Sequence, residues 1–111
     1  MLTYVQSTGE LRGPDGVFLA IGFSGDGELR NRGEDERVRL LGPIPRGSYS
    51  IQALRRFNLQ MFRLRPKVNV RNQPYFLQSS GRSQGCINVA PEVIPVIGGL
   101  VTAGETLLEV K

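Results

Sequence analysis

Histidine is missing from this chain altogether, and cysteine occurs once, at Cys86. The first absence excludes Ser-His-Asp and Cys-His catalytic sites and every His-ligated metal centre. The second excludes an intramolecular disulfide and any multi-cysteine zinc or iron–sulfur cluster, so no metal site and no cofactor is expected. Tryptophan is also absent, and lysine is confined to Lys67 and Lys111. The longest apolar run, Val17 to Phe23, falls far short of a bilayer span. The opening residues Met1 to Ser7 lack the basic start and apolar stretch of a signal peptide.

Glycine and proline are plentiful, at 14 and 7 of 111 residues, which points to many turns and a mainly β fold. A hydrophobic content of 40% and a net charge of +4 do not suit a disordered chain. The length fits one domain, residues 1–111.

Alternation of apolar and polar residues predicts strands over Leu2–Gln6, Ser48–Leu54 and Gln60–Arg65, and turn residues or proline set off further strands over Glu10–Arg12, Tyr75–Gln78 and Thr106–Val110. Val17–Gly22 reads as a buried strand, completing a three-strand meander with Leu2–Gln6 and Glu10–Arg12. Tyr49, Ile51 and Ala53 share one face of their strand, which pairs with Gln60–Arg65 around Arg56–Leu59. Phe23 to Arg37 reads as one long surface loop, a length that is often functional. Gly42 to Gly47 is too rich in Gly and Pro for a helix or a central strand. Pro91 to Gly99 suits one or two helical turns near the C-terminus, with Gly98–Gly99 as the stop and Pro95 opposing a long helix.

Charge is divided along the chain. Residues 1–36 hold seven of the ten acids, whereas residues 37–91 hold ten basic residues and no acid. Arg63 and Arg65 lie two apart and so share a strand face. Such a face suits an anionic ligand through guanidinium contacts to carboxylate or phosphate, although a basic half can also be merely solvated or paired with the acidic segment. The arginine-rich strands bring no recognition helix and no RNA-binding signature, so nucleic acid is not the expected partner.

The sharpest local signal is Ser83-Gln84-Gly85-Cys86-Ile87-Asn88. A cysteine in a glycine- and serine-rich loop after a strand is placed as nucleophiles are, with the amides of Gly85 and Cys86 able to face an oxyanion. Arg82 would favour the thiolate. The alternative is that Cys86 opens a buried strand, Cys86–Val89, as a small inert apolar side chain.

The pattern Ser-x-Gly-Cys-apolar-Asn resembles the active-site signature of L,D-transpeptidase catalytic domains. With Tyr4-Val5-Gln6-Ser7-Thr8-Gly9-Glu10-Leu11, Gly22-Phe23-Ser24-Gly25 and Gly42-Pro43-Ile44-Pro45-Arg46-Gly47-Ser48-Tyr49, the chain is similar to the L,D-transpeptidase-related type VI secretion effectors. That resemblance runs from Tyr4 to Val110. It implies a compact β-sandwich or barrel that acts on peptidoglycan stem peptides through a cysteinyl thioester. Cys86 matches the nucleophile, and Ser83 and Gly85 match the motif positions around it. Arg46, Arg82, Arg63, Arg65 and Tyr75 are the candidate substrate-binding residues. The family histidine aligns with Gln78, whose neutral amide accepts no proton from a thiol. Loss of general-base help typically costs about 10²–10⁴-fold in rate. The resemblance also implies synthesis in the cytoplasm and delivery to the periplasm or outside the cell by a secretion system, with an immunity or secretion-machinery protein as partner. It requires Cys86 to sit at the mouth of a groove beside two main-chain N–H donors.

Overall fold

The computed structural model describes residues 1–25, 42–56, 58–68, 73–79 and 86–111. Nine strands among them form a single sheet: β1 (Leu2–Tyr4), β2 (Glu10–Arg12), β3 (Phe18–Ile21), β4 (Phe23–Ser24), β5 (Gly47–Arg56), β6 (Leu59–Pro66), β7 (Tyr75–Gln78), β8 (Ile87–Asn88) and β9 (Leu107–Val110). One helix, α1 (Ile94–Thr102), precedes β9. The spatial order is β3-β2-β1-β9-β5-β6-β7-β8-β4. The outermost strands β3 and β4 are consecutive in the chain with only Gly22 between them, so the sheet curls into a nearly closed barrel.

The first three strands form the expected antiparallel meander. β1 ends at Tyr4 rather than Gln6, because Gln6 turns inward and its side-chain amide donates to the Ile44 carbonyl at 2.9 Å. β3 is not the buried strand its apolar run predicts. Ala20 faces the core, but Phe18 and Ile21 are about half exposed (51% and 59%), and Phe18 lies under the Arg12 guanidinium at 5.7 Å. β3 also shifts register against β2 at Leu11/Arg12, which turns its far end outward.

β5 and β6 make a long hairpin paired from Tyr49↔Pro66 to Arg56↔Leu59, with Asn58 at φ 63 in the tight connection. Asparagine tolerates that left-handed backbone better than most residues. Tyr49 and Ile51 are buried, but Ala53 on the same face is exposed because the hairpin tip projects past the core.

The core gathers Leu2, Tyr4, Leu11, Ile51, Phe62, Leu64, Leu77, Ile87 and Leu108 from alternate strand positions. α1 closes one side of it with Ile94 and Ile97. Pro95 does not shorten this nine-residue helix, since it falls in the first turn, where its missing N–H has no helical partner to lose. Nor do Gly98 and Gly99 stop it. They lie inside α1, and the helix ends at Ala103–Gly104, where Gly104 takes φ +103.

Two glycines bring three backbones together. A Cβ on Gly9, which has φ +81, would lie 2.0 Å from the Gly22 carbonyl oxygen, and one on Gly22 would lie 2.5 Å from the Asn88 carbonyl oxygen. Gly22 N–H donates to the Gly9 carbonyl at 2.7 Å. This stack is where the two ends of the sheet meet.

Candidate functional site

The strand pair β7–β8 sets the site. It is parallel, with Leu77 beside Ile87 and Gln78 beside Asn88. Leu77, Ile87 and Val89 belong to the core, so Gln78 and Asn88 point to the opposite, outer face, and Cys86 joins them by strand alternation. One step back from these pairs, Phe76 on β7 and Cys86, directly ahead of β8, are the next residues of each segment. Phe76 in turn pairs with Arg63 on β6, whose guanidinium lies over the Phe76 ring at 5.6 Å. One outer face therefore carries Arg63, Phe76, Gln78, Asn88 and Cys86.

Cys86 is covered rather than open. It is 6% exposed, yet it does not belong to the aliphatic core cluster. The expected position at a groove mouth is thus corrected: alternation turns Cys86 away from Ile87, but the residue is buried. Asn88 is 5% exposed, and among the described residues neither Oδ1 nor Nδ2 finds a hydrogen-bond partner. A buried polar atom left in that state costs about 1–3 kcal/mol. Arg63 Nε is likewise buried and unpartnered.

Tyr75 does not belong to this face. It is 1% exposed, packed edge-on to Tyr49 at 5.8 Å between ring centroids, and sits in the core because it shares the inward register of Leu77. Arg63 and Arg65 share the outer face as their spacing predicts, and Arg65 donates to Gln52 Oε1 at 3.3 Å. Arg46 is exposed at the foot of β5. Arg82, Ser83 and Gly85 lie outside the described residues. So does most of the expected long loop, 26–37; its first residues, Phe23–Ser24, form β4 instead.

The segments that carry the sequence signature converge. Phe23 pairs with Asn88 and Ser24 with Ile87. Ser24 Oγ accepts from Ile44 N–H at 2.6 Å, Gln6 holds the Ile44 carbonyl, and the Tyr49 hydroxyl donates to the Pro45 carbonyl at 2.6 Å. The proline-rich segment is buried from Gly42 to Pro45, and these side chains satisfy the Ile44 N–H and the Ile44 and Pro45 carbonyls in place of a ladder. Gly-Pro-Ile-Pro, Phe-Ser-Gly and Cys-Ile-Asn are thereby tied into one corner of the barrel.

Sequence reasoning named Asn88 only as a motif letter and passed over Phe76. The signal for both was the period of two, which puts Cys86 with Asn88 and Phe76 with Gln78. Among the described residues no cluster of three His, Cys, Asp or Glu is disposed to hold a metal. No helix among them is long and apolar enough to cross a membrane. No protein-family model matches the chain, and no curated protein matches its sequence.

Proposed function

We propose that this protein is a cysteine enzyme that modifies peptidoglycan stem peptides, by L,D-carboxypeptidase or L,D-transpeptidase-type exchange, and is delivered as an antibacterial effector. The observation that supports it is the common outer face of Cys86, Gln78 and Asn88, built by the segments that carry the L,D-transpeptidase-like signature.

In this reading the Cys86 thiolate attacks the carbonyl carbon of the amide preceding a terminal D-residue. The developing oxyanion takes hydrogen bonds from main-chain N–H groups at Cys86. The C–N bond then breaks, the departing amine takes a proton from water, and a thioester remains. Water releases the acid, or a second amine forms a new amide, and either returns the thiol. Asn88 offers one donor and one acceptor to a peptide group of the substrate, and Gln78 orients without moving protons. Arg63, braced on Phe76 and roughly 10 Å from Cys86 across two strand spacings, meets a substrate carboxylate.

A second reading is favoured by the burial of Cys86 together with the missing base: the same face binds cell-wall fragments, or a protein partner, without turnover. Mass spectrometry of purified muropeptides incubated with wild type, Cys86→Ser and Gln78→His separates the two. Loss of a D-residue with wild type but not Cys86→Ser supports the enzyme. Activity in Gln78→His alone supports a scaffold that lacks its proton acceptor. Binding that survives Cys86→Ser, with no product from any of the three proteins, supports the second reading.

A further inference from the structure

On the outer face of β5 the side chains of Ser48 and Ser50 are short, while those of the strands on either side are long. Register places Ser50 between Arg65 of β6 and Leu107 of β9, and Ser48 beside Glu109. Lys67 prolongs the β6 ladder, its N–H donating to the Ser48 carbonyl at 3.0 Å. Small residues flanked by tall ones leave a trough, a cavity of about 490 Å³ with Ser48, Ser50, Arg65, Lys67 and Leu107 in its lining. A second cavity of about 290 Å³ shares Ser48 and Lys67 and carries the trough past Gly47 to Arg46 and Val68. The larger volume lies within the usual range of ligand clefts, and the extended run from Arg46 to Ser50 spans about 13 Å, room for four residues of peptide.

We infer that this trough binds an extended acidic peptide, independently of any chemistry at Cys86. Its carboxylates pair with Arg65 and Lys67, its backbone meets the Ser50 hydroxyl, and its aliphatic side chains cover Leu107 and Val68, which are 55% and 75% exposed. Charge sets the sign of the ligand. None of the described residues lining either cavity is acidic, and the neighbouring Glu109 carboxylate accepts the Ser48 hydroxyl at 2.6 Å. The contact with Gln52 already orients Arg65, so less side-chain freedom is lost on pairing. The apolar positions favour peptide over nucleic acid, because a phosphate backbone would leave Leu107 and Val68 uncovered and none of the lining residues named here offers a base-stacking platform other than Tyr49, whose ring is buried. The trough shares the outer face with Cys86 but lies roughly 15 Å from it, three strand spacings across and one two-residue step along.

Calorimetric titration with acetyl-Glu-Leu-Glu-Leu-amide tests this, with acetyl-Lys-Leu-Lys-Leu-amide and an oligothymidylate alongside. Wild type and Cys86→Ser are expected to bind the acidic peptide equally and to ignore the basic one. Ser50→Tyr, which fills the trough without altering charge, is expected to weaken binding about tenfold or more, as is the double change Arg65→Glu with Lys67→Glu. Tyrosine suits an exposed strand position, and circular dichroism checks the fold. If Ser50→Tyr fails to fold, Leu107→Glu on the opposite wall gives the same reading. No binding by wild type, binding unchanged by either trough-filling or wall variant, or displacement of the peptide by oligothymidylate would each overturn the assignment. These outcomes are separate from muropeptide turnover, which reads Cys86 alone.

Discussion

Along β6, Phe62 and Leu64 are fully buried, while Arg63 and Arg65, each one residue away, point outward. β7 and β8 repeat the contrast: Tyr75, Leu77 and Ile87 lie inside, Phe76, Gln78, Asn88 and Cys86 outside. The inner face is apolar or aromatic; its Tyr49 hydroxyl is tied to Pro45, and the Tyr4 hydroxyl is its one side-chain polar atom without a hydrogen-bond partner among the described residues. Among the same residues, the outer face keeps buried polar atoms without partners at Asn88 and Arg63. Stability alone does not explain groups of that kind, since apolar replacements of similar shape are usually neutral or better. The inner face builds the barrel, and the outer face carries buried polar groups that the packing of the barrel does not require.

Four measurements sharpen or break that contrast. Phe62→Ala is expected to cost about 3–5 kcal/mol in urea unfolding, because a fully buried ring leaves a cavity; a loss below 1 kcal/mol would mean that the inner face is not packed as described. Asn88→Leu is expected to act in the opposite direction, unfolding at equal or higher urea by up to about 1–2 kcal/mol and, on the proposed function, abolishing muropeptide turnover. Marked destabilisation would show that the carboxamide is structurally satisfied.

The inner face should also sense alkali. Tyr4 is fully buried with its hydroxyl unpartnered among the described residues, and burial pushes its pKa well above the ordinary tyrosine value near 10. The folded state thus holds its proton where the unfolded state releases it. The contribution is intact below pH 10 and is lost as pH rises above it, by about 1 kcal/mol at pH 11. Tyr4→Phe should flatten that decline, as urea unfolding at pH 8 and pH 11 would record. The smallest effect is expected for Arg63→Ala, about 0.5–1 kcal/mol from the lost stacking on Phe76, with its larger consequence in ligand binding.

Much of the barrel is legible in the sequence. Glu10–Arg12 and Tyr75–Gln78 form strands with the predicted bounds, and the β5–β6 pairing turns at Arg56–Leu59 as alternation requires. Errors arose where position in the fold outweighs local pattern. Val17–Gly22 is apolar enough for a core strand, but β3 lies at one end of the sheet and buries one side only. Pro95 reads as a helix breaker until the start of α1 is known. Tyr75 reads as a ligand contact beside the arginines, but period two sets it with Leu77 on the inner side. For the candidate site, the resemblance named Cys86 and Gln78, whereas no linear pattern could show that parallel pairing of β7 with β8 would seat Gln78 beside Asn88.

The junction at Gly22 has a consequence for how copies of this protein behave together. A flat sheet presents two unpaired rims to its neighbours, each a template for adding a foreign strand. Here both rims belong to β3 and β4, which run into one another through Gly22 alone, packed against Gly9 and Asn88. A bulkier side chain at Gly22 would force that clasp apart and free both rims at once. Self-association should then appear before the hydrophobic interior gives way.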